Sequence, residues 1–385
     1  MLPIDTIKLI IADLPEYYKL LFLSANKFLH QIKNMISWNT PIGVQFALKI
    51  PYSNNFTKIK ISCSKIKLEE IAHRLKKRNK HIDHFFSSAK EIIIITTLND
   101  MLSKFLLPSS IIRCEIKNKY VGISFFPQYI NISHLHFTYK KNGKKTDLFQ
   151  LMHNSSISHL LINDNFFLSW DNIRLIIPNN ITHLEVGKNN FIKLNLHKSL
   201  THLYLESPLY LESPLYSCIP TSLINLSFYD NEEIITMHKI YPHLTHLKIG
   251  YYQINLIDQN LGYFPNLSHL TIESDKLFNY YEQSITTMPS LTSTITYLKL
   301  GVYCNFHINN LFQSNLVHII FGYNFNQNID EYIPVSCKYL EFGQKFRKKI
   351  RTDILSHVLE IKIYHKYPHL DSLKKEFLGH LVIKY

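Results

Sequence analysis

The stretch LTHLKIG, residues 244–250, is one copy of a phrase that recurs through the C-terminal part of the chain. The start-to-start spacings of the copies are 25, 24, 19, 23, 21, 23, 28, 21, 21, 21 and 20 residues. A repeat period in this range is typical of solenoids built from stacked coils. The copies begin at Ile132, Ile157, Ile181, Leu200, Leu223, Leu244, Leu267, Ile295, Leu316, Cys337, Val358 and Leu378.

Within each phrase the first, fourth and sixth positions are apolar almost everywhere, as in Leu244, Leu247 and Ile249. On a strand, positions four and six point to one face, and positions three and five point to the other. The intervals are too short for conventional βαβ crossovers, so the pattern predicts short parallel strands whose apolar side chains stack in ladders. We therefore predict a β-rich, leucine-rich-repeat-like solenoid of about 12 coils over residues 131–385.

The spacing L-x-x-L-x-L resembles that of leucine-rich repeats. Asn165, Asn189, Asn231 and Asn324 stand at position nine, where such repeats use an amide to satisfy backbone groups in the turn. One unit, GYNFNQNIDEYIPVSCKYLEFG (residues 322–343), closely resembles the FNIP repeat of social amoebae and giant DNA viruses. The matching residues are Phe325, Asn326, Ile329, Pro334, Leu340, Phe342 and Gly343.

Residues 41–130 are interpreted as a linking or capping region. KEIIIIT at Lys90 and IIRCEIK at Ile111 keep the repeat spacing, so they are candidates for early coils or for a cap. Apolar residues at helical spacing predict an amphipathic helix near residues 68–86, with the basic middle HRLKKRNKH. We interpret its basic side as a solvated face, with a nucleic-acid or nuclear-localisation patch as the alternative.

The N-terminal stretch LPIDTIKLIIADLPEYYKLLFLSANKF, residues 2–28, resembles an F-box. It has an L-P start, an acidic residue at Asp5, an I-x-x-I-I-x-x-L-P block and a later Trp38. The resemblance implies a small α-helical module over residues 1–40 that docks on the Skp1 adaptor of a cullin-RING ubiquitin ligase. The alternative is that these helices only cap the solenoid. By resemblance, the residues that meet Skp1 are Leu2, Pro3, Ile7, Ile10, Ile11, Leu14 and Pro15.

Position three is histidine in eight of the twelve units, and the column is interrupted by Asn225, Tyr297, Tyr339 and Glu360. Three explanations stay open: ancestry of a copied block, a metal site, and partner binding. A straight ladder offers zinc two ligands easily and a third badly, so we predict no metal. Position five varies from unit to unit. The predicted partner-binding face comprises His183, Glu185, His202, Tyr204, His246, Lys248, His269 and Lys299.

The composition and the motifs argue against an enzyme. We find no phosphate-cradling glycine loop, no G-x-S-x-G and no H-E-x-x-H, and the chain has only 10 glycines for tight loops. We therefore predict no catalytic residues and no cofactor. The net charge of +13 permits a nucleic-acid partner, but position five mixes acids and bases, which makes that reading the weaker one.

The 5 cysteines are scattered, the N-terminus lacks a signal-peptide pattern, and no apolar run reaches the ~18 residues of a membrane helix. These features predict free thiols and an intracellular, cytoplasmic protein, with a nuclear location as an alternative. The combined prediction is a non-enzymatic adaptor that recruits substrates to a cullin-RING ubiquitin ligase. The alternative is a repeat scaffold for protein interactions without a ligase link.

Overall fold

The chain forms two units, residues 1–170 with 175–184 and residues 171–174 with 185–385. The computed structural model describes residues 11, 14, 18–19, 23, 38, 41–43, 56–63, 88–96, 110–118, 132–139, 156–164, 174–187, 193–205, 219–228, 239–250, 261–273, 288, 291–309, 311 and 314–385.

Parallel strands that follow one another in the chain build the N-terminal unit. They are β1 (Ile42–Gly43), β2 (Lys58–Cys63), β3 (Glu91–Thr96), β4 (Arg113–Asn118), β5 (His134–Tyr139) and β6 (His159–Asp164). Each strand pairs in parallel with the next. The register aligns Ile92, Cys114, Leu135 and Leu160 in one buried row, which is the apolar ladder expected of stacked coils.

Strands β7 (Arg174–Ile176) and β8 (His183–Val186) lie where the two units divide. The C-terminal unit continues with β9 (Lys193–Asn195), β10 (His202–Leu205), β11 (Asn225–Phe228), β12 (His246–Gly250) and β13 (His269–Glu273). It ends with β14 (Tyr297–Leu300), β15 (His318–Ile320), β16 (Tyr339–Glu341), β17 (Glu360–Tyr364) and β18 (His380–Lys384). From β10 to β18, each strand pairs in parallel with the next.

The result is a leucine-rich-repeat-like parallel β-solenoid of about eight turns. The predicted count of about 12 coils is therefore wrong. The phrases that start at Ile132 and Ile157 form strands of the N-terminal unit, and the phrase at Ile181 spans the division between the units.

Apolar residues at positions one, four and six form the core of the solenoid. In one such unit, the side chains of Leu244, Leu247 and Ile249 are only 0–2% exposed. The same three positions are buried in every coil from Leu200 to Ile363. The last coil differs, since Leu378 at its position one is 101% exposed. Burial of two or three large side chains per coil supplies the main stabilisation, at about 1.5–3 kcal/mol for each.

Only one α-helix has both ends among the described residues, α1 (Leu370–Glu376). Leu373 is its buried anchor, and Asp371 in the first turn with Lys374 in the last complement the helix dipole. The F-box-like helical module predicted for residues 1–40 is not supported. Most of that segment, and all of the helix predicted near residues 68–86, lie outside the described residues, so the predicted boundaries at 40 and 130 stay predictions.

An asparagine ladder joins the turns of successive coils. The Oδ1 atom of Asn305 accepts the backbone N–H of Asn326 at 2.8 Å, and Oδ1 of Asn326 accepts the N–H of Arg347 at 2.8 Å. These residues stand at position eleven, not at position nine. Asn324 at position nine donates its backbone N–H to Val302, and the other predicted asparagines fall outside the described ranges.

A phenylalanine ladder fills the core beside these turns. The Phe325 ring stacks on Phe321 with centroids 4.2 Å apart, and Phe346 stacks on Phe342 at 4.4 Å. Phe325 and Phe346 face each other across neighbouring coils at 6.2 Å. Phe325 and Phe346 stand at position ten of their units, where the preceding coil has the smaller Cys304.

Glycines at position seven allow the backbones of adjacent coils to touch. A Cβ atom on Gly322 would lie 1.7 Å from the carbonyl oxygen of Gly301, and a Cβ on Gly343 would lie 1.9 Å from that of Gly322. No side chain fits such a gap, so glycine is required by close approach. This contact sets the coil spacing at the end of the strands.

Candidate protein-binding face

Two rows of side chains cover the face of the C-terminal sheet that is opposite the core. They are defined by the strand register from β10 to β17. The position-three row comprises His202, Asn225, His246, His269, Tyr297, His318, Tyr339 and Glu360. The position-five row comprises Tyr204, Ser227, Lys248, Thr271, Lys299, Ile320, Glu341 and Lys362, and Glu185 of β8 precedes Tyr204 at the same position. All of them except the buried Ser227 are exposed or half-buried, so the two rows form an accessible surface, the exposed face.

The structure places the predicted binding residues as follows. Tyr204, His246 and Lys299 are exposed, while Glu185, His202, Lys248 and His269 are half-buried. His183 is half-buried as well, but it belongs to the N-terminal unit. Strand register makes His246 and His269 direct neighbours and separates Lys248 from Lys299 by Thr271.

The position-three row is a stack of rings. The imidazoles of His246 and His269 lie 4.1 Å apart at an interplanar angle of 16°, and Tyr297 stacks on His269 at 5.1 Å. His318 meets Tyr297 edge-on at 5.1 Å, and Tyr339 follows at 5.6 Å. In the sequence, Tyr297 and Tyr339 interrupt the histidine column, but in the structure their rings continue it.

The N-terminal unit carries a column of the same kind. His134 and His159 stack with centroids 4.0 Å apart, and His159 and His183 follow at 3.9 Å. The interplanar angles are 19° and 18°, so the three rings are close to parallel. Strand pairing sets this spacing, because neighbouring strands lie about 4.8 Å apart.

Six of the eight position-three histidines contact the hydroxyl of the residue before them. Thr245 Oγ1 lies 2.8 Å from Nδ1 of His246, and Ser268 Oγ lies 2.9 Å from Nδ1 of His269. The pairs Ser133–His134, Ser158–His159, Thr182–His183 and Thr201–His202 have the same contact at 2.7–2.9 Å. Sequence reasoning did not assign a role to these hydroxyls, although the repeated S-H-L and T-H-L blocks were the available signal.

Burial and crowding lower the pKa of several imidazoles. Desolvation, followed by the charge of His269 and of His202, lowers the pKa of His246. Desolvation and then Lys362 lower the pKa of His318, against the opposite effect of Glu341 and Glu360. In the N-terminal unit, desolvation, His159 and Arg113 lower the pKa of His134, and desolvation with Arg113 lowers that of His159.

The charged residues of the exposed face differ along its length. Lys248 pairs with Glu273 at 3.5 Å. Further along, Glu360 contacts Lys362 at 3.2 Å and His380 at 3.1 Å, and Glu341 pairs with Lys384. Lys299 has no ion-pair partner among the described residues, which makes it the available cation in the middle of the face.

We expect acid to weaken the fold. A histidine whose pKa is lower in the folded chain than in the unfolded chain favours folding above about pH 6.5. As the pH falls below this value, the histidines of the unfolded chain take up protons before those of the folded chain, so the free energy of unfolding decreases. The decrease ends once the pH is below the pKa of the histidines in the folded chain. The melting temperature should therefore fall between pH 7.5 and pH 5, where carboxylates are still ionised.

The matched variant for this experiment is His246→Asn with His159→Asn, because Asn225 already occupies a position-three site. Its melting temperature should depend less on pH than that of the wild type over the same range. Equal pH dependence of the two proteins would show that the stacked imidazoles are not the cause.

The residues predicted to meet Skp1 are mostly beyond the described part of the chain. Ile11 and Leu14 are described: Ile11 is 0% exposed, Leu14 is half-buried, and the Leu14 N–H donates to the Ile11 carbonyl at 3.2 Å. A residue reserved for an adaptor is expected to be exposed in the isolated chain. Leu2, Pro3, Ile7, Ile10 and Pro15 are outside the described residues.

The described thiols are unsuited to nucleophilic chemistry. Cys114, Cys304 and Cys337 are free and buried, and burial raises the pKa of Cys304 and of Cys337 to about 12. A thiol protonated at neutral pH is a poor nucleophile. Within the described ranges, no group of three or more His, Cys, Asp or Glu side chains could hold a metal ion.

No helix within the described parts of the chain combines the length and the apolar character needed to cross a membrane.

Comparison with known proteins supports the repeat assignment. The FNIP Repeat family matches residues 308–345 and 325–360, which contain the phenylalanine ladder and Asn326 of the asparagine ladder. No curated protein matches the chain. A solved structure described as "The crystal structure of CroV588 a novel circular LRR protein structure" aligns with 86% of this chain at 20% identity and a TM-score of 0.37. The aligned region spans 60% of that protein.

Proposed function

We propose that this chain is a non-enzymatic repeat scaffold that binds a protein partner on the exposed face. The observation that carries the proposal is the separation of roles along each strand. Positions four and six are buried and apolar, whereas positions three and five are accessible and vary in size and charge from coil to coil. Accessible residues of a solenoid sheet form a continuous surface that can change without cost to the core.

The composition of the exposed face suits protein recognition. Tyr204 and Tyr339 present large side chains that are 36% and 40% exposed, on the same face as Lys248 and Lys299. Tyrosine combines large contact area with few rotatable bonds and is enriched where proteins bind each other. Charged neighbours around such aromatic residues contribute to the specificity and the rate of association.

The triple variant Glu185→Lys, Lys248→Glu, Lys299→Glu should lose capture of the partner in affinity purification from cells that produce the protein. We expect affinity to fall by about tenfold or more, because opposed charges become like charges at an interface. The melting temperature should change little, since surface ion pairs contribute at most about 1 kcal/mol.

A matched control reverses charges of the same signs away from the exposed face, at Glu331, Lys366 and Lys375, which are all exposed. This variant should capture the partner as the wild type does. Equal capture by both triple variants would place the binding site in the turns or at the edges and would contradict the proposal.

The finer form of this function is a substrate-recruiting subunit of a cullin-RING ubiquitin ligase in the cytoplasm. Its support is the F-box-like sequence of residues 2–28, and the burial of Ile11 counts against it. This function requires that the wild type retains purified Skp1 at micromolar concentration. Joint replacement of Leu2, Pro3 and Ile7 by alanine should abolish that retention. Failure of the wild type to retain Skp1 would leave the scaffold function without a ligase link.

A further inference from the structure

The hydroxyl groups before the column histidines have a limited choice of acceptor. Thr245 Oγ1 is 3.3 Å from the carbonyl oxygen of Ile224 and 2.8 Å from Nδ1 of His246. That carbonyl already accepts the backbone N–H groups of Thr245 at 3.0 Å and of His246 at 3.1 Å. A carbonyl oxygen has two lone pairs, so the hydroxyl proton finds its better acceptor in Nδ1.

The same arrangement recurs in the next coil. The carbonyl of Thr245 accepts the N–H groups of Ser268 at 3.0 Å and of His269 at 2.9 Å. Ser268 Oγ is 3.2 Å from that oxygen and 2.9 Å from Nδ1 of His269. The geometry is repeated at Ser158 and His159 of the N-terminal unit, with distances of 3.4 Å and 2.8 Å.

An acceptor role for Nδ1 fixes the tautomer of the neutral imidazole. One ring nitrogen of a neutral histidine carries the proton and the other accepts, so the proton is on Nε2. No described residue contacts Nε2 of His246 or His269 by a hydrogen bond. Because the two rings are 4.1 Å apart and nearly parallel, their Nε2–H groups form a pair of donors that point in the same direction.

We propose that His246, His269 and Lys299 form a carboxylate-binding site that receives an acidic segment of the partner protein, an inference that rests on the proposed function. A carboxylate accepts through two oxygens, and each can take one of the paired Nε2–H donors. Lys299 lies two residues beyond Tyr297, the register neighbour of His269, and its ammonium adds the positive charge that strengthens such bonds.

The arrangement of the rings favours an acidic protein segment over a nucleic acid. The net charge of +13 attracts either anion. Binding of single strands, however, uses open aromatic faces on which bases stack. The ring faces of His269 are covered on both sides, by His246 at 4.1 Å and by Tyr297 at 5.1 Å. The column therefore offers ring edges with donors rather than stacking platforms.

The tautomer can be measured on the whole chain labelled with ¹⁵N-histidine. Long-range ¹H–¹⁵N correlation spectra at pH 7.5 should show His246 and His269, assigned with His→Asn variants, as Nε2–H tautomers. His243, an exposed turn residue two positions before Thr245, is the internal reference outside the column. Nδ1–H signals for His246 and His269 would overturn the proposal.

Binding can be measured with a fluorescein-labelled octaglutamate peptide by anisotropy at 150 mM salt. The wild type should bind this peptide and should not bind octaglutamine. The double variant His246→Ala, His269→Ala should bind at least about tenfold more weakly, as expected when two charge-assisted hydrogen bonds are lost. His246→Gln with His269→Gln keeps N–H donors and should restore most of the affinity, while His243→Ala should match the wild type.

The proposal is overturned by three results: no octaglutamate binding by the wild type, equal binding by the alanine variant, or tighter binding of a single-stranded oligonucleotide. Melting curves of all variants establish that they are folded. If the wild type does not bind octaglutamate but partner capture still depends on Glu185, Lys248 and Lys299, only the inference of an acidic segment is contradicted. Partner capture that survives the triple charge reversal contradicts the scaffold function itself.

Discussion

Replacement of Phe325 by alanine is expected to lower the free energy of unfolding by about 3–5 kcal/mol, the range for large aromatic residues in cores. Phe325 is fully buried, stacks on Phe321 at 4.2 Å and faces Phe346 at 6.2 Å. Truncation removes the stacking contacts and leaves a cavity between two coils. Because each coil packs on its neighbours, the loss should propagate along the ladder.

Urea unfolding followed by circular dichroism measures this effect. Tyr323→Ala is the control, because Tyr323 is an aromatic residue of the same turn but is exposed. The control should cost less than about 1 kcal/mol, in line with surface substitutions. Similar losses for the two variants would mean that Phe325 is not a core residue.

Gly322→Ala should destabilise the chain by about 3 kcal/mol or more, at the upper end of the cost of overpacking. The added Cβ would meet the carbonyl oxygen of Gly301 at 1.7 Å, and this neighbour is backbone rather than a flexible side chain. The coils can accommodate it only if two paired backbones separate. The measurement is again the urea midpoint, together with hydrogen exchange of the β14 and β15 amides.

Gly262→Ala provides the matched control for this substitution. Gly262 is exposed in the turn Leu261–Tyr263, and a Cβ atom there meets nothing within 4 Å. Alanine at this position should be neutral or slightly stabilising, since it restricts the unfolded chain. If Gly322→Ala were equally harmless, close approach of the coils would not be what requires glycine at position seven.

The strand positions and the core could be predicted from the sequence because burial imposes a strict rule on them. Leu247, Leu270 and Leu298 must all be apolar, because they lie in one buried row. A period-two pattern repeated at about 21 residues carries enough information to predict parallel strands. Accessible positions three and five followed from the same argument.

Other features depend on tertiary contacts that no single phrase encodes. The asparagine ladder lies at position eleven because Asn326 reaches the backbone of the next coil, and spacing within one phrase does not reveal this. The rings of Tyr297 and Tyr339 continue a histidine column because stacking requires a flat ring rather than a particular residue. The end of the ladder at Leu378, which is apolar and exposed, could not be read from its pattern.

The N-terminal prediction shows a different limit. Apolar residues at helical spacing are required both for docking on an adaptor and for capping a solenoid, so the pattern of residues 2–15 fits either role. Exposure separates the two, and sequence does not report exposure. Ile11 is buried, and the choice between the two roles stays a prediction.

Site-specific photo-crosslinking tests the partner-binding role of the exposed face most directly. A photoreactive phenylalanine analogue is placed at Thr271, between Lys248 and Lys299 on the face, and in a second protein at Lys375 on the exposed side of α1. The crosslinker at Thr271 should give one discrete adduct with the captured partner, and the adduct should vanish in the Glu185, Lys248 and Lys299 charge-reversal background. An adduct of equal yield from Lys375, or none from Thr271 while the partner is still captured, would contradict binding at this face.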